Sequence, residues 1–192
     1  MHVEATPQLH LAPEVVAIAG TKSASSTTTR LLAWVAGRLA HEGRTVTTVS
    51  VSKIPHDVLF DGDTSHPSFV AAARSIASAR AVVVATPVRL ASYCGALKLF
   101  LDALPADALR GKIVLPIATG AATQSHVPLD TALVPELALL GARYVFSTVF
   151  VADEDVRGED ERGAMLQIVP RGRVERALTA LQAGLRARGG RN

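Results

Sequence analysis

One cysteine, Cys94, stands among 192 residues. No disulfide can form within the chain and no cysteine-rich metal centre can be built. Histidine offers no substitute. Among His2, His10, His41, His56, His66 and His126, no pair stands at helical ligand spacing with an acidic third partner, so no structural metal is expected. No apolar run approaches the roughly 20 residues that cross a bilayer, and no membrane partner is expected. The opening MHVEATPQLHLAPE lacks the basic region and continuous apolar core of a secretory signal. A cytoplasmic location follows as the expectation, in keeping with the lone thiol. Internal repeats and low-complexity blocks are also lacking.

Charge of either sign is modest. The formal net charge is +3, and its distribution matters more than its sum. Arg171, Arg173, Arg176, Arg186, Arg188 and Arg191 face only Glu175 in the last 22 residues. That excess of five exceeds the total, so the rest of the chain is slightly acidic. A solvated basic helix end accounts for it, and no nucleic acid partner is expected. The hydrophobic fraction of 48% and the length fit one globular domain, placed at residues 14–188 with tails at 1–13 and 189–192.

Short Val- and Ile-rich runs at 15–19, 46–51, 81–85, 113–118 and 144–151 read as strands buried on both faces. Between them, Leu31, Leu32, Val35 and Leu39 form a helical stripe, as do Phe69, Ala73, Ile76 and Ala77. Leu97, Phe100, Leu101 and Leu104 repeat at i, i+3, i+4 and i+7; Leu133, Leu137 and Leu140 supply the next helix. Strands alternating with helices predict an α/β fold, a doubly wound five-stranded parallel sheet with helices on both faces. Ligands then belong at the carboxyl ends of the strands. The charged run ADEDVRGEDERG reads as a flexible connector or excursion, and Val174, Leu178, Leu181 and Leu185 form a last amphipathic helix.

The first strand runs into GTKSASSTTTRLL, which matches neither the Walker loop nor the dinucleotide fingerprint. One glycine is followed by seven hydroxyl residues entering a helix, more than an N-cap needs. Hydroxyls and free amides at a helix start can bind phosphate, here with cations in a minor role. After the third strand comes TPVRLASYCGALKLFLDAL, a nearly uncharged loop suited to a flat, largely apolar ring. In the expected strand order the two loops are neighbours, so one ligand with a phosphate and a flat ring can span them. Flavin mononucleotide has that shape.

GTKSASSTTTRLL, VVVATPVRLASYCGALKLFLDALP and LRGKIVLPIATGA together resemble the NADPH-dependent FMN reductase family, especially the alkanesulfonate-system FMN reductases that supply reduced flavin to monooxygenases. The resemblance spans residues 15–151 and implies a flavodoxin-like fold. It implies FMN and NADPH or NADH as cofactors, hydride transfer from nicotinamide to flavin, and a homodimer or homotetramer with helices near the flavin between subunits. Thr21, Ser23, Ser26 and Thr28 fall where the family holds the FMN phosphate. Pro87, Val88, Arg89, Thr119 and Gly120 fall where it holds the isoalloxazine. No side-chain catalyst is implied, because the cofactor carries the chemistry.

Three departures stand out: Ser23 replaces a frequent Arg, Arg89 a frequent Tyr, and Ala121 a second Gly. Arg89 is expected either at the surface or near the flavin. Cys94 reads as a packed residue, Tyr93 as a rim residue, His126 as a polar loop residue, and Lys98 with Asp102 as a helix-surface pair. The competing readings are an FMN-bound quinone or azo reductase and a non-enzymatic flavin-binding electron carrier.

Overall fold

Strands and helices alternate through the computed structural model, which describes residues 12–124, 129–160, 163–166 and 168–189. In chain order these are β1 (Val15–Ala19), α1 (Thr27–His41), β2 (Val46–Ser50), α2 (His56–Asp61), α3 (Pro67–Ser78), β3 (Ala81–Pro87) and α4 (Gly95–Asp102). There follow β4 (Ile113–Gly120), α5 (Leu129–Leu139), β5 (Tyr144–Val145), β6 (Val149–Ala152), β7 (Val156–Asp160), β8 (Gly163–Leu166) and α6 (Ile168–Gly189). Most of the 1–13 and 189–192 tails lies outside the described residues.

The sheet runs in the order β2-β1-β3-β4-β5, with β6 also pairing β4, and every pairing in it is parallel. Strand alternation sorts the side chains into two cores. Val16, Ile18, Val82, Val84 and Val114 pack with Phe69, Leu97, Phe100 and Leu133, under α2 to α5. Val15, Ala17, Val83, Leu115 and Ile117 pack with Leu31, Val35, Leu178 and Leu181, under α1 and α6. The sheet is therefore covered on both faces, as the uninterrupted apolar runs require.

The expected strand at 144–151 is in fact two. Phe146 N–H donates to Val114 C=O at 2.9 Å, so backbone alternation turns Pro116 to the same neighbour, where it has no N–H to offer. The pairing lapses there and resumes at Ile117 with Val149, while Thr148 N–H is satisfied by Asp130 Oδ1 at 2.9 Å. The charged connector also holds more order than expected: β7 and β8 form an antiparallel hairpin. Short α2 was not expected. At the amino end of β4, the buried Lys112 ammonium donates to Ala77 C=O at 2.9 Å and Ala79 C=O at 2.7 Å. It ties the end of α3 to the sheet.

Candidate functional site

At the carboxyl end of β1, Gly20 N–H bonds Ala85 C=O at 2.8 Å. Glycine is required there by space: a Cβ would lie 2.9 Å from Leu97 Cβ and 2.8 Å from its methyls. Thr86, fully buried, then joins the two loops. Its Oγ1 lies 3.3 Å from Gly20 C=O and accepts from Cys94 N–H at 3.0 Å.

Beyond Gly20 the chain turns through its hydroxyl residues into α1. Ser26 is the N-cap, its Oγ accepting from Thr29 N–H at 3.1 Å and lying 3.0 Å from Thr29 Oγ1. Thr29 Oγ1 also reaches Ser23 C=O at 3.1 Å. These bonds set the loop and leave the first-turn amides of Thr27 and Thr28, which have no partner within a helix, as donors. No acidic residue occupies that first turn, so nothing on the helix itself opposes an anion there. Thr28 Oγ1 and Thr119 Oγ1 lie 2.6 Å apart, both buried. One hydroxyl pair thus joins the hydroxyl-rich loop to the end of β4.

After β3, Val88 N–H donates to Thr119 C=O at 2.7 Å. Arg89 and Ser92 then close a tight turn by exchanging two backbone bonds of 2.8 and 2.9 Å. Its central residues, Leu90 (φ 46°) and Ala91 (φ 62°), are both left-handed without being glycine, and Leu90 is 99% exposed at the tip. Next to the turn, Tyr93 OH donates to Glu136 Oε2 on α5. Glu136 Oε1 lies 3.0 Å from Lys98 Nζ, which also pairs with Asp102. Burial, and then the Glu136 carboxylate, push the Tyr93 phenol well above its ordinary value, so the phenol stays protonated as the donor. Lys98 is raised by Asp102 and then by Glu136.

These loops enclose a cavity of about 600 Å³, within the range of small-molecule sites. Seven of the nine expected residues line it: Thr21, Ser23, Ser26 and Thr28 on one side, Pro87, Arg89 and Thr119 on the other. Val88 and Gly120 do not. The Val88 side chain packs with Ala118 and Leu129, and Gly120 ends β4 paired with Ala152. Lys22, Cys94, Gly95 and Asp153 also line the cavity. Lys22 corrects the picture of a cradle with little cation. Its place in the loop was visible, whereas nothing in the sequence pointed to Asp153, which the end of β6 brings in. His126 lies outside the described residues. A second groove, about 840 Å³ and mostly apolar, runs between α2 and α4 past Leu59, Phe60 and Leu99; it shares Lys22 and Gly95 with the first.

An FMN-sized ligand suits this donor set. Free amides, hydroxyls and Lys22 at the start of α1 are donors of the kind that bind phosphate, while Pro87, Thr119 and Cys94 line the side beside β3 and β4. No group of His, Cys, Asp and Glu among the described residues could hold a metal.

The family model described as NADPH-dependent FMN reductase matches residues 13–156. An FMN reductase (NADPH) from Pseudomonas putida is 37% identical over 142 residues, 74% of this chain and 72% of that one. One from Escherichia coli is 41% identical over 102 residues, 53% of each. A crystal structure of an NADH:FMN oxidoreductase superposes with a TM-score of 0.75 at 29% identity, covering 90% of this chain and 89% of that one. An archaeal flavodoxin, at 11% identity and a TM-score of 0.58 over 90% of this chain and 97% of that one, shares the fold.

Proposed function

This chain belongs to the NADPH-dependent FMN reductase family, and we propose how its cavity serves an NAD(P)H-dependent FMN reductase. Thr21, Ser23 and Ser26, with Lys22 and the amides of Thr27 and Thr28, hold the phosphate of FMN. Pro87, Arg89 and Thr119 border the ring, and the Thr28–Thr119 pair fixes the distance between the two ends. When bound, the flavin supplies the hydride chemistry with the nicotinamide cofactor. The chain contributes position and exclusion of water: β1, β3 and β4 carry the two loops on a rigid sheet, and the nearly uncharged ring loop keeps the face dry. No side chain has to move a proton for hydride to pass. The single observation that carries this reading is one cavity lined by both loops, with the open amides of α1 at one end.

We propose further that reduced FMN leaves for a flavin-dependent monooxygenase; the likeness of the three quoted stretches to alkanesulfonate-system reductases supports this. We also propose a homodimer or homotetramer, supported by the apolar groove between α2 and α4, where Phe60 is 80% exposed. The decisive assay follows NADPH or NADH oxidation with and without added FMN. Turnover that requires FMN and reduces it mole for mole is expected. Oxidation indifferent to added FMN, or none at all, rejects the reading.

A further inference from the structure

The ring loop is built against its own backbone preference. Two consecutive non-glycine residues, Leu90 and Ala91, lie in the left-handed region, which L side chains disfavour, and such a turn persists only where its surroundings over-determine it. Leu90 contributes no packing, since it is exposed. Besides the packing of the Tyr93 ring against the core, three hydrogen bonds anchor the turn. Val88 N–H is fixed to Thr119 C=O before the turn, Cys94 N–H to Thr86 Oγ1 after it, and Tyr93 to Glu136 beside it. The first two hold the loop to its own sheet and helix start. The third is different, reaching across to α5, 43 residues away, through a carboxylate whose side chain is only 16% exposed. Glu136 in turn is held by Lys98 on α4. A largely buried carboxylate whose partners among the described residues are one phenol and one ammonium is costly to place, yet it does not line the cavity.

We propose that Glu136 is a positioning residue for the flavin: through Tyr93 it holds the strained Arg89–Ser92 turn, and with it Pro87 and Arg89, in register with the cavity. The inference rests on the cavity being the FMN site. With the carboxylate removed, the Tyr93 ring keeps its core packing but its phenol loses the tie to α5, Leu90 and Ala91 relax toward negative φ, and the ring side of the cavity loses its shape. The phosphate side, fixed by Ser26 and Thr28, stays as it is.

The test is FMN titration by flavin fluorescence, with steady-state kinetics and a thermal melt on each variant. Wild type is read first; absence of FMN binding there overturns the cavity reading and this inference with it. Glu136→Leu is expected to raise the FMN Kd and KM about five- to tenfold, with kcat within twofold and the KM for NADPH unchanged. Glu136→Gln keeps an acceptor for the phenol and is expected to restore FMN binding to within about twofold. Tyr93→Phe is expected to match Glu136→Leu, and the double variant to be no worse than either single one, because both remove one interaction. Adding Ala91→Gly, which removes strain at a positive-φ position, is expected to recover part of the loss. Glu136→Leu with unchanged FMN affinity, or Tyr93→Phe and Glu136→Leu losses that multiply, overturns the proposal. So does a fall in melting temperature with no change in flavin binding.

Discussion

At the scale of single residues, the site depends on what is missing at Gly20. A methyl group there meets three atoms of Leu97 at 2.8–2.9 Å, so Gly20→Ala forces α4 away from β1. A loss of about 1–3 kcal/mol is expected in urea unfolding. FMN affinity should fall too, since Gly20, Thr86 and Cys94 join both loops. Ser26→Ala and Thr28→Ala separate two roles. Ser26→Ala removes an N-cap worth about 1 kcal/mol, whereas Thr28→Ala strands a buried Thr119 hydroxyl at about 1–3 kcal/mol. Each is expected to weaken FMN at least several-fold in titration, and Thr28→Ser to restore most of it; unaltered binding in both alanine variants removes these residues from the site. The hydroxyl loop was legible in the sequence because its members are contiguous. The Thr28–Thr119 pair was not, since its partners lie 91 residues apart and each alone reads as an ordinary loop threonine. Lys22 was overlooked for a different reason: seven hydroxyls drew the phosphate argument away from a cation in their midst.

At the scale of elements, short continuous apolar runs and helical stripes showed β1 to β4, α1 and α3 to α6, because burial of a strand on both faces leaves an uninterrupted apolar run. What the pattern missed are features decided by single backbone groups or by pairing at a distance. Pro116 splits the last strand by withholding one N–H, and the β7–β8 hairpin has too much charge to be read as strand. Lys112 also belongs here. Burial holds its ammonium below the ordinary lysine value. Just below pH ~10.4, the unfolded chain therefore keeps a proton that the folded chain has released, and this group's contribution to stability rises with pH. Lys112→Met leaves the carbonyls of Ala77 and Ala79 without their donor, and a loss of about 1–3 kcal/mol is expected. The gap between wild type and variant should widen from pH 8 to pH 10 in chemical denaturation. A gap that narrows contradicts this account.

At the scale of the whole molecule, the parallel topology puts the ends of β1, β3, β4 and β6 on one rim, which is why two loops far apart in sequence form one cavity. The exposed Phe60 and Leu99 beside it make a specific prediction about assembly. Light scattering should give a mass two or four times 20.1 kDa, and Phe60→Lys with Leu99→Lys should shift it toward one chain. A single-chain mass for the unaltered protein rejects the oligomer. Helix α6 lies on the other face of the sheet, packed through Val174, Leu178, Leu181 and Leu185, with Arg171 over the Trp34 ring at 5.9 Å.

Lys112 and the cavity stand at opposite ends of β4, whose eight residues span roughly 26 Å at about 3.3 Å each. The tie that Lys112 makes between α3 and the sheet thus involves no residue that lines the cavity. Substitutions at the lower rim can therefore be made without altering a cavity-lining side chain, whereas at the upper rim Gly20, Ser26 and Thr28 carry both stability and binding.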